Sequence, residues 1–452
     1  MMSLASRIES GSALVTVDAV KLRAQAAQIL RANAIEDVAA DGSVRRYTVP
    51  TQGLYPHQWN WDSAICAIGM ARIDPDRAFA ELESLLAAQD ADGLVPHIAF
   101  NPAAVSYQPG PDWWGSRAGG DGRLISCISQ PPVAAMALRR VFELSPEVER
   151  ARPLLEPLQS WHDWFLSVRD PDGRGEPVLV HPWETGRDNA VEWDLPLLAA
   201  PQTQAEFQRV DTGFVSAEQR PTKAHYQHYI GLVEQFRDLR WNQMEMAKNS
   251  AFRVIDPGFS AIFARACADL AEVAIRCGDF SVSDRATGQS EQIAKSIDAR
   301  RDVNGRAWPI DLSTGAEIRR HSVALGFQLL QPDLAGSAAA VLAADCVTGS
   351  LASNWGVCST APSDPDFDPV NYWRGPVWAS SSWLVAAGLR LQQRNADASR
   401  LEERLLRAVS ELGFSEYFHA SSGLGLGGGN FSWTAAVTLE LLPIEQLSSG
   451  AD

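Results

Sequence analysis

Helical periodicity is the feature that most restricts how this chain folds. About a dozen stretches place apolar residues at helical spacing, whereas almost no segment alternates polar and apolar residues as a strand does. The predicted helices span residues 18–33, 62–73, 76–90, 131–144, 153–168, 224–240, 259–277, 285–297, 318–330, 333–345, 376–392, 397–412 and 432–441. Many are consecutive pairs with alternately short and long connections, and no low-complexity linker divides the chain. This pattern predicts an all-α fold, an α/α toroid with an inner and an outer ring of helices.

Six long connections separate the predicted helices and hold most of the informative residues. They span residues 34–61, 98–130, 169–223, 298–317, 346–375 and 413–431. In a toroid, the loops at one end converge on a shared cavity. Loops on a rigid scaffold commonly carry binding and catalytic groups. We therefore expect the functional site at one end of the toroid.

The fifteen tryptophans of the chain fall into two groups. Trp161 and Trp164, in LQSWHDWF, have helical spacing and are predicted to lie in the core. Most of the others occur beside Gly, Pro, Asn or Asp, the residues of loops, in QWNWD, PDWWG, HPWE, VEWD, NYWRGPVW and FSW. A flat apolar face next to hydrogen-bonding groups is what a sugar ring requires. The loop tryptophans therefore favour a carbohydrate ligand.

Acidic residues accompany these loop tryptophans most densely in WETGRDNAVEWD, residues 183–194, which has neither helical nor strand periodicity. Cleavage of a glycosidic bond needs two carboxyl groups, one that protonates the leaving oxygen and one that stays ionised. Asp188, between Gly186 and Asn189, is the first candidate. Glu416, between aromatic residues and just before a glycine-rich stretch, is the second.

Several function classes are disfavoured by composition. The formal net charge of −16 argues against nucleic-acid or anionic-membrane partners. The six cysteines lie far apart without a CxxC pair and are predicted to be buried, reduced thiols, and no HxH or HxxxH spacing indicates a metal site. The N-terminus lacks the pattern of a signal peptide and no stretch is long enough to span a bilayer, so we expect a cytoplasmic protein. No feature of the sequence indicates an oligomeric state.

Taken together and in order, the motifs resemble glycoside hydrolase family 63, in particular its small bacterial mannosylglycerate and glucosylglycerate hydrolases. The resemblance runs from about residue 20 to residue 441. The motifs are LYPHQWNWD (54–62), VPHIAF (95–100), SQPP (129–132), HPWETGRDN (181–189), EQRP (218–221), NYWRGPVW (371–378), FSEY (414–417) and SWTAA (432–436).

This resemblance implies an (α/α)6 barrel and an inverting α-glycosidase that needs no cofactor and acts on a small glycoside. One catalytic domain would span residues 1–452, with loops 98–130 and 169–223 as a cap over the active site. The family's general acid lies in a W-E-S-G-x-D-N motif, which falls on Asp188, with Thr185 in place of the serine. Its general base lies in F-x-E-Y, which falls on Glu416.

The resemblance also implies a set of substrate-binding residues. Those expected to shape the sugar subsite are Tyr55, Trp59, Trp61, Asp62, Gln130, Trp373 and Trp378. Those expected toward the aglycone are Tyr107, Arg220 and Tyr226, and Trp183, Tyr372 and Trp433 complete the set. Apart from the resemblance, His57 and His97, which lie in motif stretches, are expected to be structural or supporting groups behind the carboxylates.

Physical chemistry supports the same roles. A carboxylic acid that stays protonated near neutral pH needs burial or a like-charged neighbour, and a tryptophan-walled pocket with a second carboxylate supplies both. Asp62 is interpreted as a third carboxylate that binds sugar hydroxyls. Arg220 is either a salt-bridged residue or a bidentate clamp on an anionic aglycone such as glycerate. Phe431 stands where the relatives often have a polar side chain, which leaves the aglycone open.

Two other function classes remain open from the sequence. One is an α/α-toroid sugar isomerase or epimerase that uses paired histidines, for which the loop candidates are His57, His97, His181 and His419. The other is a non-catalytic carbohydrate-binding protein. Release of reducing sugar from α-linked glycosides separates hydrolysis from both.

Overall fold

The computed structural model describes residues 18–39, 42–104 and 107–443. These ranges contain sixteen α-helices: α1 (Ala19–Ala32), α2 (Asn60–Met70), α3 (Pro75–Ala87), α4 (Pro111–Trp114), α5 (Ala134–Leu144), α6 (Val148–Val168), α7 (Asp194–Leu198), α8 (Lys223–Asp238), α9 (Gln243–Asn249), α10 (Pro257–Arg276), α11 (Phe280–Asp298), α12 (Ala324–Phe327), α13 (Gly336–Val347), α14 (Ala379–Leu391), α15 (Asn395–Leu412) and α16 (Ser432–Leu441). Short 3-10 helices span Pro182–Thr185, Val191–Trp193, Asp211–Gly213, Ala217–Gln219 and Gln328–Leu330. The predicted helix-rich fold is confirmed.

Aspartate side chains mark where several of these helices begin. The carboxylates of Asp18, Asp74 and Asp279 each accept a hydrogen bond from the backbone N–H three residues later, at 3.0, 3.0 and 3.1 Å. These bonds satisfy donors that the first turn of a helix leaves without a partner. Local sequence therefore fixes the starts of α1, α3 and α11.

Contacts between helices follow a regular order. α2 packs on α5, α5 on α10, α10 on α12, α12 on α14, α14 on α16, and α16 on α2. Each of these helices also packs against a second one: α2 against α3, α5 against α6, α10 against α11, α12 against α13, α14 against α15, and α16 against α1. Their facing surfaces form the main hydrophobic core, which includes Trp161 and Trp164. All six cysteines are free and buried, as predicted.

Aromatic residues at the first turns of α2 and α16 and just before α14 lie close together. The ring of Trp378, just before α14, is 5.4 Å from that of Trp433 at the start of α16, and Trp433 is 5.7 Å from Trp61 at the start of α2. Residues on these first turns and on the preceding loops consequently share one region. No helix of the described ranges has the length and apolar character needed to cross a membrane.

The described ranges also contain short strands, which the all-α prediction did not include. The ten strands are β1 (Ala34–Val38), β2 (Val44–Thr48), β3 (Gln58–Trp59), β4 (Ile98–Ala99), β5 (Val254–Ile255), β6 (Ile310–Asp311), β7 (Ala316–Glu317), β8 (Val377–Trp378), β9 (Tyr417–Phe418) and β10 (Gly425–Leu426). They form the antiparallel sheets β1–β2, β3–β4, β5–β6–β7 and β8–β9–β10. Strands β3 to β10 have two residues each and tie loops together, which is too short for any sequence period to show.

The helix predicted over residues 318–330 is shorter than expected and begins only at Ala324. Before it, the Arg320 guanidinium binds the carboxylates of Asp364 and Asp366, and Ser322 forms a β-bridge with Thr360. These long-range contacts hold residues 320–322 in a non-helical path. Tertiary contacts therefore override the local apolar period.

Close packing of α2 on α16 gives a prediction about stability. A Cβ atom at Gly69 would lie 2.3 Å from Cα of Ala436, whereas one at Gly288, on α11, would meet nothing within 4 Å. We expect Gly69→Ala to lower the free energy of unfolding by about 1–3 kcal/mol through overpacking. The control Gly288→Ala should raise it by up to about 1 kcal/mol through helix propensity. Thermal melting of both variants checks this, and a Gly69→Ala protein as stable as wild type would contradict the described contact.

Candidate active site

A cavity whose empty space, including the part open to solvent, is about 590 Å³ lies where the long connections meet the first turns of α2 and α16. It contains all the predicted site residues except Trp378. The lining residues are Pro50, Tyr55, Trp59, Trp61, Asp62, His97, Tyr107, Gln130, Trp183, Gly186, Asp188, Arg220, Tyr226, Tyr372, Trp373, Glu416, Phe431 and Trp433. Side chains from distant parts of the chain thus meet at one site.

The four acids of residues 183–194 have two different environments. Three of them bind an arginine at 2.6–2.8 Å: the pairs are Glu184 with Arg169, Glu192 with Arg187, and Asp194 with Arg374. The fourth, Asp188, forms no hydrogen bond or ion pair through its carboxyl group with another residue of the described chain. It is also the one of the four that lines the cavity. Three acids of the segment are therefore neutralised by arginines and hold it in place, whereas Asp188 has no such partner.

The surroundings of Asp188 favour its protonated form. Burial raises the pKa of this carboxyl to about 7; the positive charge of Arg220 opposes the rise, and the negative charge of Glu416 adds to it. The backbone of Asp188 is held in place by the Tyr229 hydroxyl, which donates a hydrogen bond to the Asp188 carbonyl oxygen at 3.0 Å. A protonated carboxyl near neutral pH is suited to donate a proton.

Glu416, by contrast, is surrounded by donors. Its carboxylate accepts hydrogen bonds from the Tyr55 hydroxyl at 2.9 Å, from the Gly428 backbone N–H at 2.8 Å and from Nη1 of Arg220 at 3.3 Å. Burial raises the pKa of Glu416, and Arg220, Gly428 and Tyr55, in that order, oppose the rise. These donors stabilise the ionised form of the carboxyl group.

The glycine-rich stretch explains how the backbone reaches Glu416. Gly427 has φ +71°, and a Cβ atom there would lie 2.4 Å from Oε2 of Glu416. Only glycine permits this approach without strain. The stretch read in the sequence as unusually glycine-rich is therefore a cradle for the second carboxylate.

Arg220 is the one arginine or lysine among the lining residues and is 3% exposed. Its Nε donates to Asp211 at 3.2 Å, its Nη1 donates to Glu416, and its Nη2 donates to the Tyr55 hydroxyl. The guanidinium also lies 4.2 Å from the ring centroid of Tyr372. In this structure Arg220 is thus ion-paired, with its planar group packed against an aromatic wall.

Asp62, in the first turn of α2, is a third carboxyl group in the cavity and is 5% exposed. Its carboxyl accepts no hydrogen bond from another residue of the described chain. Burial and, next, the charge of Glu416 raise its pKa well above the usual value. A carboxyl group facing the cavity without a protein partner has its hydrogen-bonding capacity left for a ligand.

Aromatic rings form most of the remaining wall. Trp61 and Trp373 lie 6.2 Å apart at 37°. Trp378 does not line the cavity as predicted: it is fully buried and stacks on the outer side of Trp373 at 4.0 Å and 3°. Its Nε1 donates to the Tyr372 carbonyl oxygen at 3.0 Å. Trp378 therefore supports two wall residues, Tyr372 and Trp373. The sequence motif alone does not show whether a tryptophan contacts the ligand or supports a residue that does.

The sequence interpretation placed two histidines behind the carboxylates, and one of them lines the cavity. His97 stacks on Trp183 at 5.9 Å and 12°, and burial lowers its pKa well below the usual value. His57 lies outside this cavity, with Nδ1 accepting from the Asn101 backbone N–H at 3.0 Å. Pro50, Gly186 and Phe431 are further lining residues outside the predicted binding set. Phe431 contacts the Tyr55 ring edge-on at 5.9 Å.

Histidine geometry also bears on the isomerase alternative. Of its four candidates, His97 is the one that lines the cavity. His181 is fully buried, with Nε2 bonded to the Tyr229 carbonyl oxygen, and Nδ1 of His419 accepts from the backbone N–H groups of Ser421 and Ser422. The structure does not bring two of these histidines together in the cavity.

The chain is similar to known proteins over most of its length. Residues 55–434 match the model of the mannosylglycerate hydrolase MGH1-like glycoside hydrolase domain. The chain is 36% identical to mannosylglycerate hydrolase MGH1 of Selaginella moellendorffii, over 91% of this chain and 86% of that protein. It is 32% identical to glucosylglycerate hydrolase of Mycolicibacterium hassiacum, over 93% of this chain and 98% of that protein.

Solved structures give the same result. The crystal structure of the family 63 mannosylglycerate hydrolase from Thermus thermophilus in complex with Tris and D-glycerate has a TM-score of 0.84 and 36% identity, covering 93% of this chain and 99% of that one. The complex of the same enzyme with glucose has a TM-score of 0.82. The chain therefore belongs to the MGH1-like glycoside hydrolases of family 63.

Proposed function

We propose that this glycoside hydrolase cleaves a small α-glucoside or α-mannoside with inversion, using Asp188 as general acid and Glu416 as general base. The observation that carries the proposal is the contrast between two carboxyl groups lining one cavity. Asp188 has no hydrogen-bonding partner in the described chain and a pKa of about 7, whereas Glu416, whose pKa burial also raises, is held by three donors that oppose the rise. Such opposed environments assign opposite roles to two acids.

The proposed reaction is a single displacement. Glu416 takes a proton from a water molecule, the water oxygen attacks the anomeric carbon, and the bond from that carbon to the aglycone oxygen breaks as Asp188 donates its proton to this oxygen. The water needs space between the two carboxyl groups, which in inverting enzymes stand roughly 6.5–9.5 Å apart. Trp61, Trp373, Asp62 and Gln130 would hold the sugar.

We also infer the architecture that presents this site. The six helices that contact one another in order from α2 to α16, each backed by a second helix, support an (α/α)6 toroid. One catalytic domain over residues 1–452 would include the residues outside the described ranges. Loops 98–130 and 169–223 would form a cap, and their contribution of Tyr107, Asp188 and Arg220 to the cavity supports this.

An anionic aglycone would have Arg220 as its partner in the cavity. Arg220 is the one permanent cation of the lining, and its planar group matches a carboxylate. The names of the relatives, mannosylglycerate and glucosylglycerate hydrolases, supply two candidate substrates with such a group. Incubation with each glycoside tests the proposal: we expect a free sugar whose first-formed anomer, followed by proton NMR, is β. Binding without sugar release would instead favour a carbohydrate-binding protein.

Removal of either carboxyl group should abolish most of the activity. We expect Asp188→Asn and Glu416→Gln each to lower kcat by about 10²–10⁴-fold on the natural type of leaving group. With a dinitrophenyl α-glycoside, the dinitrophenolate leaving group departs without protonation. Asp188→Asn should therefore recover activity on this substrate, and Glu416→Gln should not.

Asp76→Asn is the matched control for these variants, because Asp76, on α3, pairs with Arg150 outside the cavity and its side chain is 84% exposed. Its kcat should stay within a few-fold of wild type. Full activity of Asp188→Asn on an unactivated glycoside would contradict the role of the acid.

The pH dependence follows from the directions of the pKa shifts. Asp188 must be protonated, so kcat/KM should fall as the pH rises past about 7. Arg220 lowers the pKa of both Asp188 and Glu416, so Arg220→Met should move both limbs of the pH profile of kcat/KM to higher pH. If both limbs of the pH profile of kcat/KM stay at the same pH in Arg220→Met, the electrostatic role of Arg220 is contradicted.

Discrimination between aglycones tests the proposed clamp. We expect wild type to prefer a glyceryl-linked acid to the corresponding uncharged glycerol glycoside in kcat/KM. Charge-assisted hydrogen bonds contribute about 1.5–3 kcal/mol, which corresponds to a preference of roughly 10- to 100-fold. In Arg220→Met the preference should largely disappear, and the same preference in both proteins would place the anion elsewhere.

A further inference from the structure

A second hollow, of about 1550 Å³ and open to solvent, lies beside the catalytic cavity. The two spaces share one wall residue, Tyr107. The Tyr107 ring packs edge-on against His57 at 5.0 Å and Trp59 at 5.4 Å. Its hydroxyl has no hydrogen-bond partner in the described chain. One tyrosine thus stands between the site of reaction and the second space.

Tyr107 belongs to the leaving-group side of the cavity. After burial, the charges of Tyr226, Asp188 and Asp211 are the main contributions that raise the pKa of its hydroxyl. Tyr226 likewise interacts with Asp211, Arg220 and Asp188. Because the general acid protonates the leaving oxygen, groups clustered around Asp188 face the aglycone. The second hollow therefore borders the cavity, across Tyr107, on the side expected to hold the aglycone.

Trp113 gives the hollow an aromatic face. In the PDWWG segment, Trp114 is fully buried and packs against Trp183 at 6.0 Å, whereas Trp113 is partly exposed and lines the hollow. The Trp113 indole N–H has no acceptor in the described chain. Of the two loop tryptophans, one is therefore structural and the other faces solvent without a protein partner.

Polar groups surround this aromatic face. Asn101, Gln108 and Gln208 line the hollow, and the Gln208 backbone N–H donates to Oε1 of Gln108 at 2.7 Å, which joins the two long loops there. His57 also lines it and is 3% exposed. Because its Nδ1 accepts a hydrogen bond, its proton is on Nε2, which has no partner. An aromatic face beside amide groups suits a polyhydroxylated ligand.

We propose that this hollow is an extended aglycone subsite, which takes a second sugar unit attached to the aglycone of the substrate. The inference rests on the proposed hydrolase function and extends its substrate class from a glycoside of a three-carbon acid to one whose aglycone is itself a glycoside. The sugar in the hollow would lie against Trp113 and hydrogen-bond to the surrounding amides, while the bond that breaks remains at Asp188.

The test compares short and long substrates in one set of variants. The short probes are α-glucosylglycerate and α-mannosylglycerate, and the long probes are the same glycosides with a second α-linked hexose, glucose or mannose, on the other hydroxyl of the glycerate. We expect wild type to hydrolyse at least one long probe, and Trp113→Ala to lower kcat/KM for it by about tenfold, the loss of one stacking contact. With the short probes, Trp113→Ala should stay within twofold of wild type.

Two further variants keep the result interpretable. Trp113→Phe retains an aromatic face and should lose less than threefold with the long probe, provided that thermal melting shows a folded protein. Phe280→Ala removes an aromatic side chain that is 68% exposed on α11 and should change neither substrate class. Equal effects of Trp113→Ala on both classes, or hydrolysis of the short probes only, would overturn the subsite and leave the proposed function intact. Hydrolysis of no probe would overturn both.

Discussion

The site depends on an uneven distribution of positive charge around a short acidic segment. Glu184, Glu192 and Asp194 each bind an arginine, whereas Asp188, which lines the aromatic cavity, forms no ion pair. An isolated carboxylate is costly to bury, so such a group keeps its proton. The same three ion pairs that position the segment thus leave one residue with the property a proton donor needs. Packing, charge and chemistry are coupled in these twelve residues.

The second carboxyl group, that of Glu416, is buried with hydrogen-bond donors around it. Glu416 is buried yet surrounded by Tyr55, the Gly428 N–H and Arg220, so its charge is balanced inside the protein. Removing one partner of a buried charge usually costs more than the pair contributes, which makes Arg220 important to both folding and reactivity. Because Arg220 also binds Asp211, any anion that reaches it competes with two carboxylates. Aglycone recognition and the ionisation of the base are therefore linked through one side chain.

Sequence reasoning predicted the helices and the cavity residues better than the details between them. Long amphipathic helices such as α10 and α15 repeat their apolar residues over several turns, which makes them visible in the sequence. The order of the motifs predicted that Asp188 and Glu416 share one site. Two-residue strands and the non-helical path at Arg320 depend on contacts with distant residues, which no local pattern contains. Likewise, Trp373 and Trp378 share one motif, and only their stacking decides which of them faces the cavity. Arg374 could be expected to pair with an acid, but no local pattern shows that its partner is Asp194 or that Arg169 binds Glu184.

Titration of the Asp188 carboxyl group itself is the most direct test of its role as the proton donor. Carbon-13 NMR of protein labelled at the aspartate side-chain carboxyl, with the resonance assigned by its loss in Asp188→Asn, follows this one group as the pH changes. We predict that its pKa is about 7, well above the ordinary value of 3.8. A midpoint close to 3.8 would mean that the cavity leaves Asp188 ionised at neutral pH, and its role as the proton donor would have to be abandoned.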